Sequence, residues 1–404
     1  MKKRILFVDD DPMVLEGLGR MLRGMRDQWD MRYAVGGPEA LEIMAAETFD
    51  LVVSDMRMPV MDGLQFLTEV RAKYPNVIRV ILSGYSDQLL TMRSAGVAHQ
   101  YLSKPCDAEM LRSTLTRAIS LRTLMTDENF KRLVGRMDPL PSLPALYMEI
   151  VQELQSSDAS IRRVGEIIAK DLGMTAKILQ LVNSAFFGIP RRVSHPMDAV
   201  VYLGLETIQS LVFSVKAFSM FNTPVHKSFI TQVWSHSLAT SVLAKQIADG
   251  EHAGKSEADE SFTAGLLHDL GKLVLANNLP KQYGEVIQHA AESGTALCTV
   301  ERGMLGTTHA EVGAYLLALW GLPDPIIEAI ALHHRPGDCS KKVFSPLSVV
   351  HVANALECEL QASQRHSVPA QCLDLDYIAA TGKADKLGEW RAWHLRAASA
   401  GEAE

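Results

Sequence analysis

The chain has 404 residues, enough for two or three domains. It is 47% hydrophobic and 22% charged, with a net charge of −7 and no run of five or more basic residues. That balance suits a soluble globular protein and argues against a nucleic-acid groove; no helix-turn-helix pattern supports a DNA-binding output either. No stretch approaches the roughly 18 apolar residues of a membrane span. The basic start Met1-Lys2-Lys3-Arg4 leads into an apolar run that stops at Asp9-Asp10-Asp11, so no signal peptide is expected there. Five scattered cysteines, with no CxxC pair, read as reduced thiols. A cytoplasmic location is expected.

In chain order, strand-like runs near 4–9, 31–35, 50–54, 77–82 and 99–103 alternate with amphipathic helical segments. This pattern predicts an α/β doubly wound, five-stranded parallel domain over 1–122. A more polar helical linker follows at 123–139, and the prolines of Asp138-Pro139-Leu140-Pro141-Ser142-Leu143-Pro144 break it. From Ala145 onward no strands are expected. Helix-period patterns run through 145–156, 160–170, 174–185, 196–203, 205–221, 228–249, 259–275, 281–292, 296–304, 308–320 and 324–334, jointed at Gly188-Ile189-Pro190 and Gly321-Leu322-Pro323. They predict an all-α domain over 140–345. Residues 346–404 read as a helical extension, with a tail expected to fray at Ala400–Glu404.

The ends of the N-terminal strands carry the first chemistry. Arg4–Val8 ends in Asp9-Asp10, and Leu51–Ser54 ends in Asp55. Val77–Leu82 ends in Ser83, and Tyr101–Ser103 ends in Lys104-Pro105. In a parallel sheet these ends converge on the edge where doubly wound folds place their sites. Asp9, Asp10 and Asp55 offer hard oxygen ligands for Mg²⁺. Asp55 can also act as a nucleophile toward a phosphoryl donor. Lys104 can neutralise phosphoryl charge, and the Ser83 hydroxyl can bond the new group. Tyr101 is placed to follow Ser83 as an aromatic switch. Asp11 has no assigned role.

With Val8-Asp9-Asp10, Asp55-Met56-Arg57-Met58-Pro59-Val60-Met61-Asp62-Gly63, Ser83-Gly84 and Lys104-Pro105 in hand, residues 1–122 resemble a response-regulator receiver domain. The resemblance implies phosphorylation of Asp55 by a histidine kinase. It also implies Mg²⁺ bound by Asp9, Asp10, Asp55 and the backbone carbonyl of Arg57. A signal would leave through the fourth helix, fifth strand and fifth helix, with the linker helix as a lever.

Nine of the thirteen histidines lie between 195 and 334. His236, His268-Asp269, His309 and His333-His334 each fall in or beside a helical segment. Imidazole suits Fe, Zn and other late first-row metals, and bundles build such sites from facing helices. The ordered set resembles the HD superfamily of metal-dependent phosphohydrolases. That resemblance implies one metal held by His236, His268 and Asp269. Asp269 would bridge to a second held by His309, His333 and His334, with Fe or Mn as the expected ions. Lys272 matches the family lysine that contacts substrate phosphate. Two departures stand out: Asn354 occupies the position of the family's final aspartate, and Arg335-Pro336-Gly337-Asp338 replaces the Gly-Tyr-Pro motif of the cyclic di-GMP-cleaving branch.

Leu143-Pro144-Ala145-Leu146, Asp171–Leu179, Asn183-Ser184-Ala185-Phe186-Phe187-Gly188, Gly265–Lys272 and Trp320-Gly321-Leu322-Pro323 are more specifically similar to the HDOD domain, an HD-related output domain. Two outputs follow. One is a regulated protein-interaction module with an unidentified downstream partner. The other is a metal-dependent phosphodiesterase or phosphohydrolase acting on a nucleotide. A homodimer is compatible with either. The Phe186-Phe187 pair reads as core, with Gly188 ending a helix.

Overall fold

The computed structural model describes residues 2–84, 97–124, 141–142, 144–156, 158–183, 192–214, 219–220, 227–364 and 373–401. The 123–139 linker lies almost wholly outside these residues, as do 85–96, where a helix is expected between the fourth and fifth strands, the motif residues after Asn183 and the last three residues.

Five parallel strands form the first sheet: β1 (Lys3–Asp9), β2 (Trp29–Val35), β3 (Leu51–Asp55), β4 (Ile78–Gly84) and β5 (Gln100–Lys104), in the order β2-β1-β3-β4-β5. β3 is buried along its whole length and β4 at all but its last residue, as strands covered on both faces must be. Helices α1 (Pro12–Met21), α2 (Gly37–Ala46), α3 (Gly63–Lys73) and α4 (Ala108–Leu124) alternate with the strands. Register sets the edge: Val8 pairs with Ser54, Asp55 with Leu82, Ser83 with Ser103 and Gly84 with Lys104. Strand order reverses around β1, so Asp9 and Asp55 flank the topological switch point.

The rest is helical: α5 (Pro144–Gln155), α6 (Ile161–Ile168), α7 (Leu172–Val182), α8 (Pro196–Ser214), α9 (Lys227–Gly250), α10 (Lys255–Leu267), α11 (Leu270–Asn278), α12 (Pro280–Ser293), α13 (Leu297–Leu305), α14 (His309–Leu319), α15 (Asp324–Leu332), α16 (Pro346–Gln364), α17 (Leu375–Ala380) and α18 (Leu387–Gly401). α9, α10, α15 and α16 pack on one another, and α11 crosses α14. α8 breaks at Gly204 (φ +75°), the joint expected between two helical patterns.

One expectation needs correcting. A two-residue strand, Ser219–Met220, pairs in parallel with Pro141–Ser142, so the region after 145 is not strand-free. The prolines around 139–144 favour an extended backbone, which makes the pairing available. The C-terminal region is helical where it is described, and of the tail expected to fray, 402–404 lie outside the described residues. Trp390 is fully buried beside Phe344 and donates from Nε1 to Glu251 at 3.2 Å. Trp393 fills the space where a Cβ at Gly250 would lie.

Trp390→Ala should therefore destabilise the helical body by about 3–5 kcal/mol. A lowered urea midpoint, followed by far-UV circular dichroism, would show it; an unchanged midpoint would contradict this packing.

Candidate functional site

At the sheet edge, Asp9 and Asp55 are 3% and 8% exposed, while Asp10 faces solvent. The Lys104 ammonium donates to Asp9 Oδ2 at 2.6 Å and also to Asp55 Oδ1. The Arg57 amide donates to Asp55 Oδ2 at 2.7 Å. A Cβ at Gly63 would collide with the Asp55 carbonyl oxygen, so only glycine lets the Met58–Gly63 loop close over the end of β3. Asp62 then caps α3 in a reciprocal box with Gln65. Asp11, unassigned from sequence, caps α1 by accepting from the Met13 amide at 2.8 Å. Ser83 and Tyr101 are fully buried on β4 and β5.

Burial pushes the Asp55 carboxyl above its usual range; Lys104 opposes this and Asp9 adds to it. Burial works against the Lys104 charge, yet its bonds to Asp55 and Asp9 raise it on balance. The shifts differ in origin: burial raises Asp55 despite Lys104, whereas the two carboxylates raise Lys104 despite burial. The donor set is deficient in positive charge and rich in hard oxygen, which fits Mg²⁺.

The second site lies where helix ends meet. His268 ends α10 and Asp269 starts α11; His309 opens α14; His333 ends α15, with His334 next. His236 and Asn354 come from within α9 and α16. A Cβ at Gly271 would collide with the His309 carbonyl oxygen, so α11 can cross the start of α14 backbone to backbone. That crossing puts His309 Nε2 3.2 Å from Asp269 Oδ1. His268 Nε2 and His236 Nε2 lie 3.4 and 3.9 Å from Asp269 Oδ2. His334 Nε2 is 2.9 Å from His309 Nε2, and His236 Nε2 is 2.9 Å from Asn354 Oδ1. Nitrogen and oxygen atoms of His236, His268 and Asp269 lie within 4.8 Å of one another, as do those of His309, His333 and His334.

The opposite ring nitrogens are already engaged. His268 Nδ1 meets the Gly265 carbonyl and His333 Nδ1 the Ile330 carbonyl, each at 2.7 Å. His309 Nδ1 donates to Glu301 Oε2 at 2.7 Å. Anchoring Nδ1 as the donor leaves Nε2 as the basic nitrogen turned to the centre. His268 Nε2 and Asp269 Oδ1 are buried without a hydrogen-bond partner of acceptable geometry. Orphaned buried polar atoms within such a ligand set fit an imidazole-preferring metal.

Electrostatics agree. Burial lowers His236 to about 4, with His268 adding to the effect. Burial and neighbouring imidazoles push His333 and His334 well below the ordinary histidine value, leaving them neutral and able to ligate. Burial disfavours the Asp269 carboxylate, but His268 and Lys272 outweigh it and hold it ionised. Burial likewise opposes charge on His309, yet Glu301 raises it on balance. Lys272 donates to Asp269 Oδ2 at 2.6 Å.

Sequence reasoning missed Glu301. It is fully buried and accepts from the His309 amide at 2.8 Å and from the Tyr283 hydroxyl at 2.7 Å. Its only signal is a carboxylate beside the buried Val300. His351 was missed too; its Nδ1 meets the His333 carbonyl at 2.8 Å, and its Nε2 accepts from the Asp374 amide at 2.9 Å. Asn183 is a structural clip, bonded through its side chain to Leu179 and Val193.

Comparison with known proteins agrees with this division. The family model "Response regulator receiver domain" matches residues 5–116, and "HDOD domain" matches 140–336. The chain pairs a response-regulator receiver domain with an HDOD domain. The MmoQ response regulator of Methylococcus capsulatus aligns with a TM-score of 0.50 at 25% identity, over 63% of this chain and 98% of that one. An uncharacterized protein of Treponema pallidum is 29% identical over 248 residues, 61% of this chain and 48% of its own. The response regulator PilR of Pseudomonas aeruginosa is 32% identical over 146 residues, 35% of this chain and 32% of its own. The receiver–HDOD chain thus spans half or less of the length of these curated relatives. Among its described residues, no helix is long and apolar enough to cross a membrane.

The raised Asp55 carboxyl makes a signed prediction. A raised folded-state pKa contributes stability below the unfolded carboxylate's value, and that contribution is lost as pH rises through the folded value. At pH 7 the ionised Asp55 therefore opposes folding. Asp55→Asn should raise the melting temperature of Mg²⁺-free protein at pH 7, with the gain shrinking toward pH 4. A variant less stable than wild type at pH 7 would count against this balance.

Proposed function

We propose that this receiver–HDOD protein is a cytoplasmic phosphorelay response regulator in which Asp55 accepts a phosphoryl group from a histidine kinase and thereby controls the helical output domain. The observation that carries this is the convergence of Asp9, Asp55 and Lys104 within hydrogen-bonding reach at the switch point of the sheet. Asp9, Asp10, Asp55 and the Arg57 carbonyl would hold Mg²⁺, which would supply the positive charge the pocket lacks. The Asp55 carboxylate attacks phosphorus, a P–O bond forms, and the bond to the donor imidazole breaks. Lys104 neutralises charge on the phosphoryl oxygens, Ser83 donates its hydroxyl, and Tyr101 follows Ser83 in its packing.

The domain limits proposed are 1–122, 123–139, 140–345 and 346–404, with α16 completing the output site from beyond 345 through Asn354. The output is read first as a signalling and interaction module. Asn354 supplies a neutral amide where the HD pattern has a carboxylate, which weakens the His236–His268–Asp269 side as a metal site. A second reading, a metal-dependent phosphohydrolase acting on a nucleotide, is favoured by the anchored histidines and the orphaned atoms of His268 and Asp269. On that reading His236, His268, Asp269 and Asn354 hold one Fe or Mn ion, and Asp269, His309, His333 and His334 hold another. Such ions would provide Lewis acidity and a hydroxide source. Lys272 holds Asp269 ionised.

Two measurements test this. Acetyl phosphate with Mg²⁺ should label wild type but not Asp55→Asn, detected as an acid-stable, base-labile acyl phosphate; equal labelling would refute the assignment of Asp55. Elemental analysis of protein purified without oxygen or chelators decides the output. Metal lost in His309→Ala, with turnover lost in Asp269→Ala, makes the domain an enzyme. A folded, metal-free domain whose partner binding survives Asp269→Ala makes it an adaptor.

A further inference from the structure

The end of α14 would leave its last carbonyl groups without partners. Gly321, at φ +83°, closes the helix in the left-handed conformation; its amide returns to Ala318, and the Leu322 amide to Leu317 at 3.1 Å. The helix carbonyl of Leu319 and the loop carbonyls of Gly321 and Leu322 are taken by three side chains from elsewhere, two of them from the receiver. Gln100, the first residue of β5, donates to the Leu319 carbonyl. Arg117, on α4, donates to the Leu322 carbonyl at 3.0 Å and to Asp324 Oδ1 at 2.7 Å. Arg192 completes the set at the Gly321 and Leu322 carbonyls, at 2.9 and 2.5 Å.

α7 locks the same junction from the other side. Gln180 Nε2 lies 3.4 and 3.5 Å from the carbonyls of Ala98 and His99, just before β5. The buried Lys177 ammonium sits 5.1 Å from the centre of the Trp320 ring.

The position of this loop in the chain gives the contact its meaning. Leu319–Asp324 joins α14, which begins with His309, to α15, which is followed at once by His333 and His334. At its far end, about 16 Å along α14, His309 meets His334 and Asp269. On the receiver side, β5 runs from Gln100 to Lys104, and Lys104 bonds Asp55. A five-residue strand and one helical hairpin therefore span the distance between the phospho-acceptor pocket and the histidine cluster.

We infer that the receiver acts as the C-cap of α14, and that the α14–α15 hairpin is the element through which the state of Asp55 reaches the histidine cluster. This rests on the reading of Asp55 as the phospho-acceptor. A change at Lys104 shifts β5, Gln100 and Arg117 release or re-seat the loop carbonyls, and the two helices carrying His309 and His333-His334 change their spacing. For reversible binding the coupling is reciprocal: the factor by which a non-covalent phosphoryl mimic at Asp55 changes the cluster's affinity for an ion is the factor by which the ion would change the receiver's affinity for the mimic.

The test uses the full chain, with beryllofluoride and Mg²⁺ as the phosphoryl mimic and amide hydrogen exchange as the readout. In wild type, the mimic should change exchange by at least threefold in segments covering 316–324 and 331–335, as well as around β3 and β4. Gln100→Glu and Arg117→Met keep side-chain volume but remove the donors. Each should speed basal exchange at 316–324 at least threefold and lose most of the mimic's effect there, while the response around β3 and β4 persists. A wild-type hairpin response in both variants, or a receiver response in wild type without any hairpin response, overturns the inference. If β3 and β4 do not respond in wild type, the reading of Asp55 fails and takes the phosphorylation step with it. Unchanged basal exchange in both variants then refutes the cap as well.

Discussion

The histidine cluster depends on the absence of a side chain at Gly271. α11 can lie against the first residue of α14 only because nothing projects from Gly271 toward the His309 carbonyl. Gly313, one turn into α14, approaches the Gly271 amide on the same contact. Backbone-to-backbone crossing of this kind leaves little freedom, so Asp269 and His309 are held by rigid elements. Once these two are placed, the i−3 carbonyls of Gly265 and Ile330 fix the rings of His268 and His333. The carboxylate of Glu301 fixes His309.

The two sites handle buried charge in opposite ways. The receiver pocket gathers two buried carboxylates around one ammonium, so its deficit is of positive charge and its donors are hard oxygens. The helical site gathers five imidazoles around one carboxylate, and burial keeps several of those rings neutral. Neutral imidazole is the ligating form. Asn354 fits this second pattern by adding an oxygen without adding a charge. With Lys272 already bonded to Asp269, the His236 side of the cluster has little net negative charge to offer an ion.

The receiver was legible because its chemistry sits at the ends of short apolar runs, where a change of residue type marks both the strand end and the functional edge. The ordered histidines were legible for a similar reason: all but His236 lie at or beside a helix terminus, and their order matches a known pattern. Glu301 could not be found that way, since its role exists only after α13 is brought against His309. Gln100 and Arg117 look like ordinary polar residues of a strand and a helix. Their partners are backbone carbonyls more than two hundred positions away, and a carbonyl carries no residue-type signal. Trp390 was hidden by the weak periodicity of its helix, although its burial ties the C-terminal segment to α9.

The nature of the junction also limits what kind of signal it can carry. Most of the contacts between receiver and output loop end on carbonyl oxygens, and the ionic partner, Asp324, is largely exposed. An exposed ion pair contributes little and is screened by salt, so the donors to the carbonyls hold the geometry. Such a junction does not move charge toward the cluster; it sets where a helix ends and how the next begins. His309 and His334 stand 2.9 Å apart, at the far ends of those two helices. A small change of angle at the loop therefore becomes a change in their separation, and ligand distances of a metal site tolerate only a few tenths of an ångström. A geometric signal applied at Leu319–Asp324 is of the kind to which that cluster is most sensitive.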